Sequence, residues 1–158
     1  MDKIILASKS EIRKKILEEN NIKCEVVPSN LDEGPIKSHL VNDGASPELI
    51  SKNLAELKAN KVSLSQGDKL VLGADSVINL NESIISKPKN REEALDILKK
   101  LNGKKHELIS SVCISKNGSM MWNYSDKATL EMKNFNNEYL KNYLSNITDK
   151  ALYSYNVY

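Results

Sequence analysis

The first apolar run, Ile4-Ile5-Leu6-Ala7, is short and uninterrupted, which predicts a buried strand. A helix is expected next, over about residues 9–20. Ser8 with Glu11 fits a capping box there, Ser10 competes for the cap, and Ile12 and Ile16 share one face beside Leu17. Residues 23–28 read as a second strand ending at Pro28, and the polar, turn-rich stretch 29–46 as loop. Ser46-Pro47 opens a helix with proline at its tolerated first position. Ile50, Leu54, Leu57 and Val62 give that helix an apolar stripe to about residue 64. After the Gln66-Gly67-Asp68 turn, Leu70 to Ile78 is strand-like, interrupted only by Gly73-Ala74-Asp75-Ser76.

Asn90, with Glu93 three residues on, caps a helix from about 91 to 101, and Gly103 stops it. Leu108–Ser115 and Met120–Met132 pair as strands around the Asn117-Gly118 turn. A last amphipathic helix covers residues 136–146, and the alternating tail Tyr153–Tyr158 reads as an edge strand at which the chain stops. Strands alternating with helices, plus one hairpin, predict an α/β fold with a mixed sheet.

Composition narrows the function. The 158 residues favour one domain, and a 40% hydrophobic fraction supports a core. Lys+Arg 23 against Asp+Glu 21 leaves a net charge of +2, which argues against a dedicated nucleic-acid coat, as do aromatics at only 5%. No apolar run approaches the roughly 20 residues of a spanning helix, and the start MDKIILASKS lacks a signal peptide's apolar stretch. Cys24 and Cys113 stand far apart, as core-like thiols in a reducing compartment would. These features point to a cytoplasmic protein, bound neither to membrane nor to nucleic acid.

Three places could carry chemistry. Ala7-Ser8-Lys9-Ser10 runs from a strand into a helix bearing Arg13, Lys14 and Lys15. Free backbone N–H groups, two hydroxyls and cations suit a phosphate; an ordinary capped surface helix fits the same residues. Asp75 lies inside an apolar strand, where a carboxylate is costly to bury unless it is paired or bound to metal. A bulge aspartate satisfied by backbone donors is the plainer reading. Carboxylates such as Asp32-Glu33 could hold Mg²⁺, and the lysine of Lys87-Pro88 could neutralise charge developing on a leaving pyrophosphate; each taken alone could also be a solvated loop charge. The chain has no GxxxxGK[ST], GxGxxG, GxSxG or HExxH pattern, and His39 and His106 stand alone.

Taken in order, the pieces resemble the Maf family of nucleotide pyrophosphatases, once described as septum-formation inhibitors. Ile5-Leu6-Ala7-Ser8-Lys9-Ser10 with Arg13 and Ile16-Leu17 is similar to the family's LASxSPRRxxLL. Leu31-Asp32-Glu33 resembles its xDE segment, and Leu54-Ala55-Glu56-Leu57-Lys58-Ala59 its LAxxKA helix. Val71-Leu72-Gly73-Ala74-Asp75-Ser76-Val77 resembles VLGADTVV, and Lys87-Pro88 with Ala94, Leu98, Leu101, Gly103 and His106 follows KPxxxxxA…L…LxGxxH. Each piece is weak alone, but their shared order along nearly the whole chain is specific.

The resemblance implies an elongated, ITPase-like mixed sheet flanked by helices, with a nucleotide-binding cleft, all in one domain over 1–158. It implies hydrolysis of nucleoside triphosphates, standard or modified, to monophosphate and pyrophosphate with Mg²⁺ or Mn²⁺. Under it Asp75 is the catalytic proton acceptor, and Glu33 and Asp75 hold the metal. Ser8, Ser10, Arg13, Glu33, Lys58, Ser76 and Lys87 contact substrate. It leaves room for a homodimer.

Departures bear on these expectations. Glu11 replaces the motif proline, and Ile12 replaces its first arginine, a position tied to the choice of base. Ser76 replaces threonine and keeps a hydroxyl. Ala151–Tyr158 resembles the run leading into the family's glycine-rich GxY[QG]I[QE]G element, and the chain ends where that element's Gln or Glu would fall, so the C-terminal part of the family domain is expected to be missing. That keeps a second expectation open: a catalytically weak nucleotide-binding protein acting in cell-division control.

Overall fold

The computed structural model describes residues 3–157. Strand β1 (Ile4–Leu6) is followed by α1 (Glu11–Glu19), β2 (Cys24–Val26), α2 (Glu33–Asn42) and α3 (Pro47–Ser63). Strands β3 (Val71–Leu80) and β4 (Ser83–Ile85), helix α4 (Arg91–Leu101) and the long hairpin β5 (Lys105–Lys116) and β6 (Ser119–Glu131) come next. Helices α5 (Asn137–Ser145) and α6 (Asp149–Tyr155) complete the order. The sheet is mixed, as expected, with strand order β2-β1-β3-β5-β6 and β4 on β3. β1 is parallel to both β2 and β3, whereas β3 and β4 are antiparallel.

Local chemistry explains most boundaries. Ser10, Ser46, Asn90, Asn136 and Thr148 each cap a helix with a side-chain oxygen that accepts a backbone N–H three residues on. Ser10, not Ser8, therefore caps α1. Asn117 and Gly118 have φ of +52° and +81°, the left-handed pair that a two-residue hairpin turn requires.

Two expectations about elements fail. Residues 29–46 are not all loop, because α2 occupies Glu33–Asn42. Its weak apolar pattern hides it: Ile36 and Leu40 are only half-buried, and nothing in it is fully buried. The tail is not an edge strand either. Thr148 starts α6, which runs to Tyr155, and Asn156 ends it at φ +76°. Tyr158 lies outside the described residues.

The chain divides into two compact units. Residues 1–76 with 109–126 form unit 1, and 77–108 with 127–158 form unit 2. Unit 2 has one continuous apolar core, built from Ile78, Leu98, Leu101, Leu140, Leu144 and Leu152 among others. Arg91 joins its helices by donating to the Leu144 and Ile147 carbonyls and pairing with Asp149. Unit 1 has smaller apolar clusters, one around Ile5, Ala7, Val62 and Val71, another of Ala55, Ala59 and Cys113. Helix α3 presses closely on β3 there. A Cβ added at Gly73 would lie 2.2 Å from the Ala55 carbonyl oxygen and 2.8 Å from the Ala59 nitrogen. Only glycine permits that approach.

Candidate active site

Close packing at Gly73 brings one turn of α3 against the middle of β3. Asp75 lies two residues beyond Gly73, so it points to the same face of the strand. Lys58, one position before Ala59, meets it. Lys58 Nζ is 2.8 Å from Asp75 Oδ1 and 2.7 Å from Glu33 Oε1, with the Ala74 carbonyl oxygen at 3.5 Å. Both Lys58 and Asp75 are buried. Glu33 reaches the pair from the first turn of α2, where Lys37 also approaches it at 3.7 Å. A carboxylate in the first turn also matches the positive end of the helix dipole.

The environment acts unevenly on these groups. Burial pushes the Asp75 carboxyl above the usual range, and the charge and hydrogen bond of Lys58 pull it back only in part. Asp75 Oδ2 is buried and has no hydrogen-bond partner. The Asp75 backbone is held as well, because its carbonyl accepts from Ser51 Oγ at 3.1 Å.

Arg13 faces inward on α1, half-buried, while Ile12 and Ile16 lie exposed. Its Nη1 donates to the Ala74 carbonyl at 3.0 Å and to Ser8 Oγ at 3.2 Å. Burial pulls its pKa down, while the charges of Asp75 and Glu33 pull it up. Ser8 Oγ also accepts the Ser10 backbone N–H, so the segment before α1 is tied to the Arg13 side chain.

Ser8, Arg13, Glu33, Lys58 and Asp75 are thus brought together within unit 1. Ser10 is taken up as the cap of α1. Ser76 follows Asp75 on the strand and so points to the opposite face, where its Oγ lies 2.9 Å from Ser110 Oγ. Lys87 belongs to unit 2 and is exposed. Two contributors were missed in the sequence, Lys37 and Ser51. Ser51 could have been found: it lies seven residues before Lys58, two helical turns along one face of α3, and is buried, as Ala55 four residues on also is.

Asp75 and Glu33 are the residues suited to a divalent ion. Their oxygens converge on one cationic centre, and Asp75 Oδ2 is left without a partner. Among the described residues no group of three His, Cys, Asp or Glu side chains could hold a metal. Two hard oxygen donors fit Mg²⁺ or Mn²⁺, which take their remaining ligands from water and phosphate, better than a metal needing a full protein cage.

A solved HAM1 protein from Coxiella burnetii superimposes with a TM-score of 0.52 at 15% identity, over 83% of this chain and 72% of that one. Residues 3–153 match the Maf family, described as Maf-like protein, and the chain belongs to that family. A nucleoside triphosphate pyrophosphatase from Pelagibacter ubique (strain HTCC1062) is 64% identical over 98% of this chain and 80% of that relative. A 7-methyl-GTP pyrophosphatase from Brucella abortus biovar 1 (strain 9-941) is 32% identical over 99% and 78%. Among the described residues no helix is long and apolar enough to cross a membrane.

Proposed function

We propose that this chain hydrolyses nucleoside triphosphates to monophosphate and pyrophosphate, with Asp75 as the proton acceptor. The observation that carries the reading is the buried Lys58–Asp75 pair joined by half-buried Glu33, in which the Asp75 Oδ2 oxygen has no partner. A buried carboxylate raised above its ordinary range is a better base than an exposed one and is out of competition with bulk water. In the reaction, a water oxygen bonds to phosphorus as its proton passes to Asp75 Oδ2. The P–O–P bridge then breaks, and pyrophosphate leaves with the bridging electron pair.

Arg13 contributes a fixed positive charge, held in place by Ser8 and the Ala74 carbonyl. Lys58 is a further cation for phosphate oxygens, as a polyanionic transition state requires. Glu33 and Asp75 would hold Mg²⁺ or Mn²⁺, which when bound neutralises phosphate charge and polarises the bond being broken. The names of the two relatives support a triphosphate substrate and leave two bases to compare, standard and 7-methylated.

A pyrophosphate-release screen over standard triphosphates and 7-methyl-GTP, with and without Mg²⁺, tests the reading. Release dependent on added metal, and lost in Asp75→Asn, is the expected result. Nucleotide binding without any release would instead mark a binding protein.

A further inference from the structure

The Lys58 ammonium has three N–H donors and no acceptor. Within the protein it has three acceptors around it, Glu33 Oε1 at 2.7 Å, Asp75 Oδ1 at 2.8 Å and the more distant Ala74 carbonyl at 3.5 Å. In this arrangement no donor is left for a phosphate oxygen, and the side chain is buried. The same two carboxylates are the donors suited to a divalent ion. One cationic centre between two carboxylate oxygens is also what a bound divalent ion would be. Lys58 and the metal are therefore alternatives at one place, and Lys58 can reach a phosphate only after leaving it.

We propose that Lys58 is a built-in placeholder for the divalent cation: it neutralises and positions Asp75 and Glu33 in the metal-free protein, and it is displaced toward the substrate phosphates when the ion takes those carboxylates. The proposal rests on the metal reading given above. The long, flexible lysine stem permits such a swing, and a compact ammonium can exchange one set of oxygen acceptors for another. The placeholder keeps buried Asp75 and half-buried Glu33 from being left uncompensated, which would cost more than leaving the pair intact. Displacement also links metal entry to the arrival of a phosphate-binding donor in the same step. Lys58 is then a positioning residue before the ion binds and a substrate contact afterwards.

Calorimetric titration of Mn²⁺ alone into the wild-type chain and Lys58→Met tests this, at about pH 8 so that proton uptake by a carboxylate does not replace the lost ammonium. Removing the competitor should tighten Mn²⁺ binding by roughly tenfold or more, the worth of one charge-assisted hydrogen bond to the displaced group. Equal or weaker binding in the variant overturns the placeholder and leaves the metal reading standing. Mn²⁺ binding to neither protein overturns both.

Should Lys58→Met fail to fold, the wild-type chain gives a second measurement. Acylation of Lys58 by an amine-reactive reagent, read by mass spectrometry, should be slow without metal and rise severalfold on saturation with Mn²⁺. Unchanged or reduced labelling in a chain that binds Mn²⁺ overturns the proposal.

Discussion

The two units of this chain bury different things. Unit 2 buries a single apolar cluster from α4, α5, α6 and one end of β3, and among the described residues none of its lysines, arginines, aspartates or glutamates is buried. Unit 1 splits its apolar core into smaller groups and also buries Lys58 and Asp75, with Arg13 and Glu33 half-buried beside them. Apolar burial favours folding in proportion to area, whereas a buried ion pair is close to neutral for stability and costly to break by halves. Unit 2 should therefore carry stability with little chemistry, and unit 1 the chemistry at some expense in stability.

The largest expected effect that tests this division lies in unit 2. Leu101→Ala removes a fully buried side chain of its core and should cost about 2–5 kcal/mol. Denaturant unfolding measures that cost, while pyrophosphate release per folded molecule should stay near wild type. Loss of turnover at full folding would break the division of labour.

Asp75→Asn should do the opposite. It should lower turnover by roughly 10²-fold or more, as removal of a general base does, and leave the fold standing. A variant with wild-type turnover would remove Asp75 from the catalytic role.

Gly73→Ala falls between the two. Its new Cβ would press on the α3 backbone at Ala55 and Ala59, so α3 must move away from β3. A cost of about 1–3 kcal/mol is expected from overpacking, together with weaker Mn²⁺ or nucleotide binding, because Lys58 rides on that helix. Loss of stability with unchanged binding would show that the site does not depend on this close approach.

The smallest effect is in pH dependence. Folding raises the Asp75 pKa, so the folded chain holds that proton more tightly than the unfolded chain does. Its contribution to stability is fully present below the ordinary carboxylate range and is lost as pH rises through the raised folded value. Melting temperatures of wild type and Asp75→Asn, compared across this window, should show wild type losing ground to the variant as pH increases. A gap that is constant with pH would mean that Asp75 titrates alike in the folded and unfolded chain.

Much of this was legible from local rules. Runs and periods of apolar residues mark β1, β3 and α4, because burial of one face or of a whole strand leaves its imprint on sequence. Ser46-Pro47, Asn90 and Asn117-Gly118 mark starts and turns by their own hydrogen bonds and φ preferences. Helix α2 escaped because its inward positions include Glu33 and Lys37, so the face that should read as apolar reads as loop. The alternation at Tyr153–Val157 misled for another reason. Over five residues it also fits little more than one helical turn, and the Thr148 cap with Asp149 behind it was the stronger signal. On α1 the pattern favours Ile12 and Ile16 as the inner face, yet Arg13 and Leu17 turn inward, since Arg13 finds acceptors in Ser8 and the Ala74 carbonyl.

By itself, the order of residues along the chain settled the α/β class, the family and the identity of Asp75 as a carboxylate placed where solvent should be absent. Those follow from short-range patterning and from motifs that do not depend on knowing what packs where. Only the tertiary structure decided which cations and carboxylates meet. It set Lys58 rather than a surface residue between Asp75 and Glu33, turned Ser76 to the other face, and placed Lys87 in a different unit. Charges seventeen residues apart on α3 and β3 become partners because a glycine lets two backbones come close, and that proximity is a property of the packing rather than of either segment.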